Sequence, residues 1–339
     1  MSAGNRLGEV PPVRLVVLRA LNLGDILTGL PALRALRRAF PLHHMTVAAP
    51  SAYGSLLRRE VGIDDLSDSH ELAPLDPALA GPDVAVDLHG RGPGSQPLLL
   101  ALSPRRLVAF AHPDIPDTAG MPEWRPGEHE VVRWCRLLQE CAIPASPDRL
   151  ELGPAPVTAP ACARDATVIH PGAAAPARRW PPRRWAEVVR AEVGAGRRVV
   201  LTGSAGEAAV AATIAAAAPG AAVCNLAGRT DLDELIAVVR SAGRVISGDT
   251  GVAHLAFATA TPSVTLYGPV PPAEWGPPPG RPWHVALWKG QRGDPHASRL
   301  DPGLAAITAG DVITAGRLLD ARLASSSRPS PTVTSGAAP

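Results

Sequence analysis

Apolar residues along this chain follow two alternating patterns. Short β-branched runs are separated by stretches in which apolar positions return every three or four residues. Residues 13–18 (VRLVVL) form the first short run, and its nearly unbroken apolar character predicts a strand buried on both faces. After Asn22-Leu23-Gly24-Asp25, Leu30, Leu33, Leu36 and Phe40 recur at helical spacing, with Arg34, Arg37 and Arg38 on the other face. Pro41 ends that helix. A strand over 45–49, a short helix, and strands over 84–88 and 107–110 continue the alternation, which predicts a parallel α/β sheet.

Residues 142–163 are rich in Pro, Ala and Ser, and after them the same pattern restarts. Strands are expected over 167–170, 198–202, 244–247 and 263–267. Helices are expected over 185–193, 206–217, 232–241 and 251–258. The predicted organisation is an N-terminal tail (1–12), a Rossmann-like domain (13–150), a linker (151–164), a second Rossmann-like domain (165–324) and a low-complexity, disordered tail (325–339). The two domains are expected to face each other across a cleft.

Composition narrows the function. The chain of 339 residues is 46% hydrophobic and 19% charged, enough apolar material for two cores. Aromatics are 4%, so Ala, Val and Leu must fill those cores, and 32 Gly with 38 Pro predict many punctuated loops. Lys and Arg (33) nearly balance Asp and Glu (31), and the basic residues occur as scattered pairs without interleaved aromatics, which argues against nucleic acid as a partner. Cys135, Cys141, Cys162 and Cys224 show no CxxC or zinc spacing, so they are read as free thiols of a reducing compartment. Arg6, Glu9 and Arg14 leave no apolar core for a signal peptide. The longest uncharged run, 208–224, is mostly alanine broken by Pro219 and Gly220, too weakly apolar to span a bilayer. A soluble, cytoplasmic protein is expected, with peripheral contact at the inner membrane face left open.

Three segments carry candidate chemistry. In Ser247-Gly248-Asp249-Thr250-Gly251-Val252-Ala253-His254, a buried strand gives way to a helix. Its glycines permit close backbone approach, and the exposed N–H groups and helix dipole suit a diphosphate. The plain structural alternative, an Asp- or Thr-capped helix with a packed histidine, is equally open. In His170-Pro171-Gly172 followed by Arg178-Arg179-Trp180-Pro181, a strand opens into a loop that brings two guanidinium groups to the next helix, where they can neutralise phosphate oxygens. Taken alone, a solvated basic loop with prolines starting the helix is the simpler reading. Asp25, after the first strand, is placed for a ligand cleft at the carboxyl ends of a parallel sheet and suits a general base, although a helix N-cap is the commoner role of a Gly-Asp pair. Asp231-Leu232-Asp233 mimics a metal-binding DxD but is better explained by helix capping. No GxxxxGK or GxGxxG is present, and Arg91-Gly92-Pro93-Gly94 is read as a loop lining the cleft.

Taken together, VVLRALNLGDILTGLPALRALRRAFP (16–41), HPG…RRWPPRRW (170–185), VVLTGSAGE (199–207), NLAGRTDLDEL (225–235), SGDTGVAHLA (247–256) and TPSVTLYGPVPPAEWGP (261–277) resemble glycosyltransferase family 9, the ADP-heptose:lipopolysaccharide heptosyltransferases. The resemblance runs in family order over about residues 13–320. It implies a GT-B fold and metal-independent, inverting transfer. It also implies a catalytic base at Asp25, donor phosphate contact at or beside Arg178 and Arg179, and ribose binding by Glu207. Asp249, Thr250, Gly251 and His254 would hold the diphosphate and sugar, and the loop 228–231 would lie beside the base. Two features depart from the family: arginines replace its frequent Lys before Trp-Pro, and 293–296 (Gly-Asp-Pro-His) lack cysteines found in many members. The expected partners are a nucleotide-sugar donor, ADP-heptose, and a glycan, glycolipid or small-molecule acceptor, with no cofactor or metal. A sugar-nucleotide epimerase of the same fold and a nucleotide-sugar-binding protein without turnover are the alternatives.

Overall fold

The computed structural model describes residues 13–220 and 222–325. The chain divides into two compact units between Gly153 and Pro154. The tail expected over 1–12 and all but the first residue of the tail expected over 325–339 lie outside the described residues; Ser325 itself is helical.

The first unit contains β1 (Arg14–Leu18), α1 (Leu23–Ala39), β2 (His44–Ala49), α2 (Gly54–Val61), β3 (Asp65–Asp68), β4 (Val84–Asp87), α3 (Gln96–Leu100), β5 (Arg106–Val108) and α4 (Glu130–Glu140). Its sheet is parallel in the order β3-β2-β1-β4-β5. The chain winds outward from β1 to β3 and then returns to place β4 on the other side of β1. Loops after β1 and β4 therefore diverge, and that reversal opens a crevice at the carboxyl edge. The pairing Leu18↔Asp87 marks the spot.

Helix α1 starts at Leu23, with Asn22 as its extended N-cap residue, so Asp25 sits in the first turn and is not the cap. There its charge complements the helix dipole, while Arg37 and Arg38 do so in the last turn. Pro31 lies inside the helix, and Leu27, Leu30 and Leu33 on its inner face are fully buried. Between this helix, β1 and α4 lies Arg19, also fully buried. Its Nε donates to the Asp25 carbonyl at 2.6 Å and its Nη2 to Thr28 Oγ1 at 3.1 Å; Nη1 donates to the Leu88 carbonyl. Glu130 of α4 lies 3.6 Å away and the Trp134 ring 5.0 Å below the guanidinium.

The second unit contains β6 (Thr167–His170), α5 (Pro182–Gly194), β7 (Val199–Leu201), α6 (Ala208–Ala215), β8 (Val223–Asn225), α7 (Leu232–Ser241), β9 (Arg244–Gly248), α8 (Gly251–Ala258), β10 (Ser263–Leu266), α9 (Pro272–Trp275), β11 (His284–Leu287), α10 (Pro302–Ala306) and α11 (Ala309–Ser325). The parallel order β11-β10-β9-β6-β7-β8 repeats the same reversal, here between β6 and β9, where His170 pairs with Ser247. Trp180 and Trp185 pack edge to face at 4.8 Å in the core. Trp180 Nε1 donates to the Ile307 carbonyl at 3.0 Å, and Arg184 holds the Ala305 and Ile307 carbonyls at 2.6 and 2.8 Å. Much of the RRWPPRRW segment thus fastens α10 and α11 to α5.

The expected elements are present with small shifts of their ends, whereas β3, α3, α4, β8 and everything after 267 were not foreseen. β3 reads DLSD, a short polar strand at the sheet edge, a position where apolar alternation is not required.

Gly29 of α1 makes the buried Arg19 possible. A Cβ there would meet Arg19 Nε and sit 2.8 Å from Arg19 Cδ, and the guanidinium is pinned on all sides. Gly→Ala in a helix interior ordinarily stabilises by about 0.5–1 kcal/mol. Gly29→Ala should instead destabilise by about 1–3 kcal/mol, the cost of overpacking. Urea denaturation checks the sign, and a stabilised variant would contradict the close approach.

Candidate functional site

The candidate residues of the second unit converge where its sheet reverses. Helix α8 begins at the end of β9, and its N-cap residue, Thr250, has extended geometry (φ −145°, ψ 174°) but makes no side-chain capping bond. Asp249 lies before the cap position, so neither residue caps the helix as a purely structural reading requires. Thr250 Oγ1 is buried without a hydrogen-bond partner among the described residues, and so are Ser247 Oγ and Arg178 Nε. Arg178 approaches from the loop after β6, with Nη1 at 3.4 Å from the Asp249 carbonyl. Two unpaired polar groups, a hydroxyl and a fixed cation, therefore lie at the positive end of a helix, while Ser247 Oγ and the equally unpaired Thr265 Oγ1 lie in register on β9 and β10. Leaving such groups buried costs about 1–3 kcal/mol each. Oxygen atoms of an anion supply what they lack. Ser247 was not singled out in the sequence; its register with His170 at the reversal point is what places it here.

Arg179 does something different. Its Nε and Nη2 donate to the Ala173 and Ala174 carbonyls at 2.9 and 3.0 Å, so it braces the loop that carries Arg178. His254 lies buried in α8, 3.7 Å from Asp249 Oδ1 through Nε2, with Phe257 and Trp275 edge-on at 5.5 and 5.7 Å. Tyr267 is fully buried beside Asp249; burial first, and that carboxylate second, push its hydroxyl well above the usual range. Asp249 and His254 are thus a mutually facing pair with an aromatic floor.

Glu207 sits on the turn Ala205–Glu207 after β7. Burial alone would raise its carboxyl, but Ser204 N and Oγ, donating to Oε2 at 2.7 and 2.9 Å, hold it below the usual range, helped by His170 and Arg179. Its other oxygen faces Gly172, where a Cβ would collide with it. The Gly of the His-Pro-Gly segment is therefore a space-maker for Glu207. His170 Nδ1 meets Thr202 Oγ1 at 3.0 Å, and burial lowers its pKa, with Glu207 acting in the opposite direction. The helix α7 capping expected of Asp231 is present: Glu234 N donates to Asp231 Oδ1 at 2.8 Å and Asp231 N to Glu234 Oε2 at 2.9 Å.

In the first unit, Asp25 is half-buried in the first turn of α1. Its carbonyl accepts from Arg19 and from Thr28 Oγ1 at 3.0 Å, which fixes the backbone that presents the carboxylate. Burial, then the Asp25 charge, raise the nearby Tyr53 hydroxyl. The segment 87–91 is not uniformly presented for binding. Asp87 is fully buried: His89 N donates to Oδ1 at 2.8 Å and Ser95 Oγ to Oδ2 at 2.6 Å. Burial pushes its carboxyl up to about 6 despite those bonds, and burial with Arg19 pushes His89 down to about 4. Arg91 is the member of that segment that remains available. With His112, Glu123 and Trp124 it lines a cavity of about 610 Å³ formed by the loops after β4 and β5.

The model of "Glycosyltransferase family 9 (heptosyltransferase)" matches residues 123–298, more than half of the chain. "Lipopolysaccharide heptosyltransferase 2" of Escherichia coli K12 is 38% identical over 100 residues, which is 29% of either chain; the first curated relatives are matched over only 29–30% of their length. Among solved structures, E. coli ADP-heptose LPS heptosyltransferase II superposes with a TM-score of 0.70 at 21% identity, covering 91% of this chain and 99% of that one. E. coli heptosyltransferase WaaC with ADP gives a TM-score of 0.68 at 19% identity, covering 90% and 99%. Likeness at this identity shows the fold, which is GT-B, two doubly wound parallel sheets.

Thr250 offers a test of whether its hydroxyl is structural. A Thr250→Val substitution keeps the shape and removes an unpartnered group, so stability without ligand should stay within about 0.5 kcal/mol or rise. If the hydroxyl serves an anion, affinity for a diphosphate probe should fall by about 3–10-fold, the loss of one neutral hydrogen bond. Denaturation and calorimetry on one preparation separate the two effects; a large loss of stability would make the hydroxyl structural.

Proposed function

The chain belongs to glycosyltransferase family 9, and we propose that it is an inverting transferase moving heptose from ADP-heptose to a hydroxyl of a cell-envelope glycan or other acceptor. The observation that carries the donor half is the pair of unsatisfied buried atoms at the start of α8: Thr250 Oγ1 and Arg178 Nε. In this reading the donor diphosphate takes those donors and the N–H groups of Thr250 and Gly251. Glu207 accepts from the ribose hydroxyls through the oxygen that Ser204 leaves open, and Asp249 with His254 faces the sugar. The choice of ADP and heptose rests on the names of the relatives, among them the ADP complex of similar fold.

For the acceptor half, the cavity lined by Arg91, His112, Glu123 and Trp124 is the seat we assign on the first unit. It offers one guanidinium, one carboxylate and an aromatic edge, which suits a hydroxylated ring. Asp25 takes the proton of the acceptor hydroxyl as that oxygen attacks the anomeric carbon from the face opposite the diphosphate. The bond from carbon to the diphosphate oxygen breaks, configuration inverts, and ADP leaves with its negative charge held by Arg178 and the helix dipole. This assignment needs no metal. A peripheral contact at the inner membrane face belongs to the same proposal, since a lipid-linked acceptor would present its hydroxyl there; among the described residues no helix is long and apolar enough to cross a membrane.

Two substitutions test the two halves separately. Arg178→Ala should weaken ADP binding by about 1.5–3 kcal/mol, the range for a charge-assisted hydrogen bond. Because Arg179 is committed to loop carbonyls, Arg179→Ala should act indirectly and less; unchanged affinity with both arginines replaced would remove the phosphate assignment. Asp25→Asn should leave ADP binding intact and lower transfer by a factor on the order of 10² to 10⁴. Full transfer by that variant would exclude Asp25 as the base. Incubation with donor alone distinguishes transfer from epimerisation, because only an epimerase converts the sugar nucleotide without an acceptor.

A further inference from the structure

Cys162 and Cys224 stand 62 positions apart in sequence, yet their sulfurs lie 2.8 Å from each other. Cys162 belongs to the turn Ala161–Ala163 that leads the chain into β6, and Cys224 is the middle residue of β8, the outermost strand on that side of the sheet. Neither position is a floppy loop. Ala163 N donates to the Pro160 carbonyl at 2.9 Å, Asp165 N to the Ser241 carbonyl at 2.9 Å, and Arg198 grips the carbonyls of Ala161 and Arg164. Cys224 is held in the β7–β8 ladder opposite Val200. Two fixed backbones thus present their thiols to each other within about 0.8 Å of the length of an S–S bond. The other two thiols differ: Cys135 is buried and pushed up to about 12, mainly by that burial, and Cys141 is raised for the same reason.

We propose that Cys162 and Cys224 are a disulfide site that clamps the entry segment of the second unit onto its edge strand. With a low-molecular-weight disulfide such as oxidised glutathione, the Cys162 thiolate attacks one glutathione sulfur and releases the first molecule of reduced glutathione. Cys224 then displaces the second. Two protein S–H bonds are lost and one S–S bond forms, the protein is oxidised, and the two protons end on the two glutathione thiols. Burial, reinforced by the neighbouring sulfur, pushes Cys224 up to about 11, so exchange is slow near neutral pH and quickens in mild alkali. The absence of a CxxC spacing hid the pair in the sequence, because a crossover through β7 brings the two residues together. The clamp bears on the nucleotide side of the fold as well. Beyond Cys224 the chain is tied to the strand that leads to Glu207, with Leu226 N on the Leu201 carbonyl and Gly228 N on the Gly203 carbonyl, each at 2.8 Å.

The test uses the full-length protein, incubated with oxidised glutathione at mildly alkaline pH, alkylated and digested. The site predicts a cross-linked peptide joining Cys162 to Cys224, lighter by two hydrogens than its reduced halves, while Cys135 and Cys141 remain alkylatable. Closing a loop of this size should raise the Tm by roughly 5–10 °C relative to the reduced protein, reversibly on adding a phosphine. Cys162→Ser should abolish both the cross-link and the shift, and Cys135→Ser should preserve them. Stable glutathione adducts on the two cysteines separately, alkylation of all four thiols after oxidation, or cross-linking to Cys135 or Cys141 would each overturn the proposal.

Discussion

A single buried guanidinium organises the first unit. Arg19 has no access to solvent, and burial pushes its pKa down against the pull of Glu130, Asp25 and Asp87. A cation in that position is tolerable only if it is well partnered, and each of its three nitrogens does reach an acceptor: the carbonyl after β4 and, on α1, the Asp25 carbonyl and Thr28 Oγ1. Glu130 meanwhile accepts from Arg133 and from Trp134 Nε1, the latter at 2.6 Å. The consequence reaches the chemistry. Asp25 owes its position to a backbone carbonyl locked by Arg19, and Asp87 is kept out of any binding role because Ser95 and the His89 N–H already satisfy it.

Topology explains why the candidate residues gather at strand ends. In both sheets the chain winds one way from the central strand and then returns to wind the other way, so the loops leaving the two middle strands part. Leu18 opposite Asp87, and His170 opposite Ser247, mark the two reversal points. Each unit is thereby supplied with a crevice before any side chain is chosen, and the residues placed there decide what it holds.

Much of this was legible in the sequence because it depends on local pattern. The runs 167–170, 232–241 and 251–258 coincide with β6, α7 and α8 to the residue, each being either a short β-branched-rich strand or a helix with a clear start. The reading faltered where stability comes from distant partners. Helix α4 carries Arg133 and Arg136 on buried positions, which looks wrong for a core helix until Glu130 and Glu128 are seen to pair with them. Strand β8 is hidden in an alanine-rich stretch and β11 is an edge strand with mixed exposure. Among the candidate residues, Asp25 in the first unit and Arg178, Glu207 and the 249–254 segment in the second were named from motifs. The bracing role of Arg179, the burial of Asp87 and the lone hydroxyl of Ser247 could not, since each is decided by a partner far away in sequence.

Buried charges with several protein partners and buried polar atoms with none occur in both units, and the two kinds serve different ends. Arg19, Glu130, Arg133, Arg136 and Asp87 are buried in the first unit, each with protein partners around the charge. Satisfaction of that kind fixes a geometry and leaves little for a ligand to gain. At the start of α8, by contrast, Thr250 Oγ1 and Arg178 Nε are buried without partners among the described residues at the positive end of a helix dipole. Polar groups without protein partners are the ones that gain hydrogen bonds when the oxygens of an anion arrive. Under the proposed function, a diphosphate supplies acceptors for Thr250 and Arg178 at the start of α8. On that same proposal, the leaving nucleotide, which carries more negative charge than the intact donor, would make stronger hydrogen bonds to those groups.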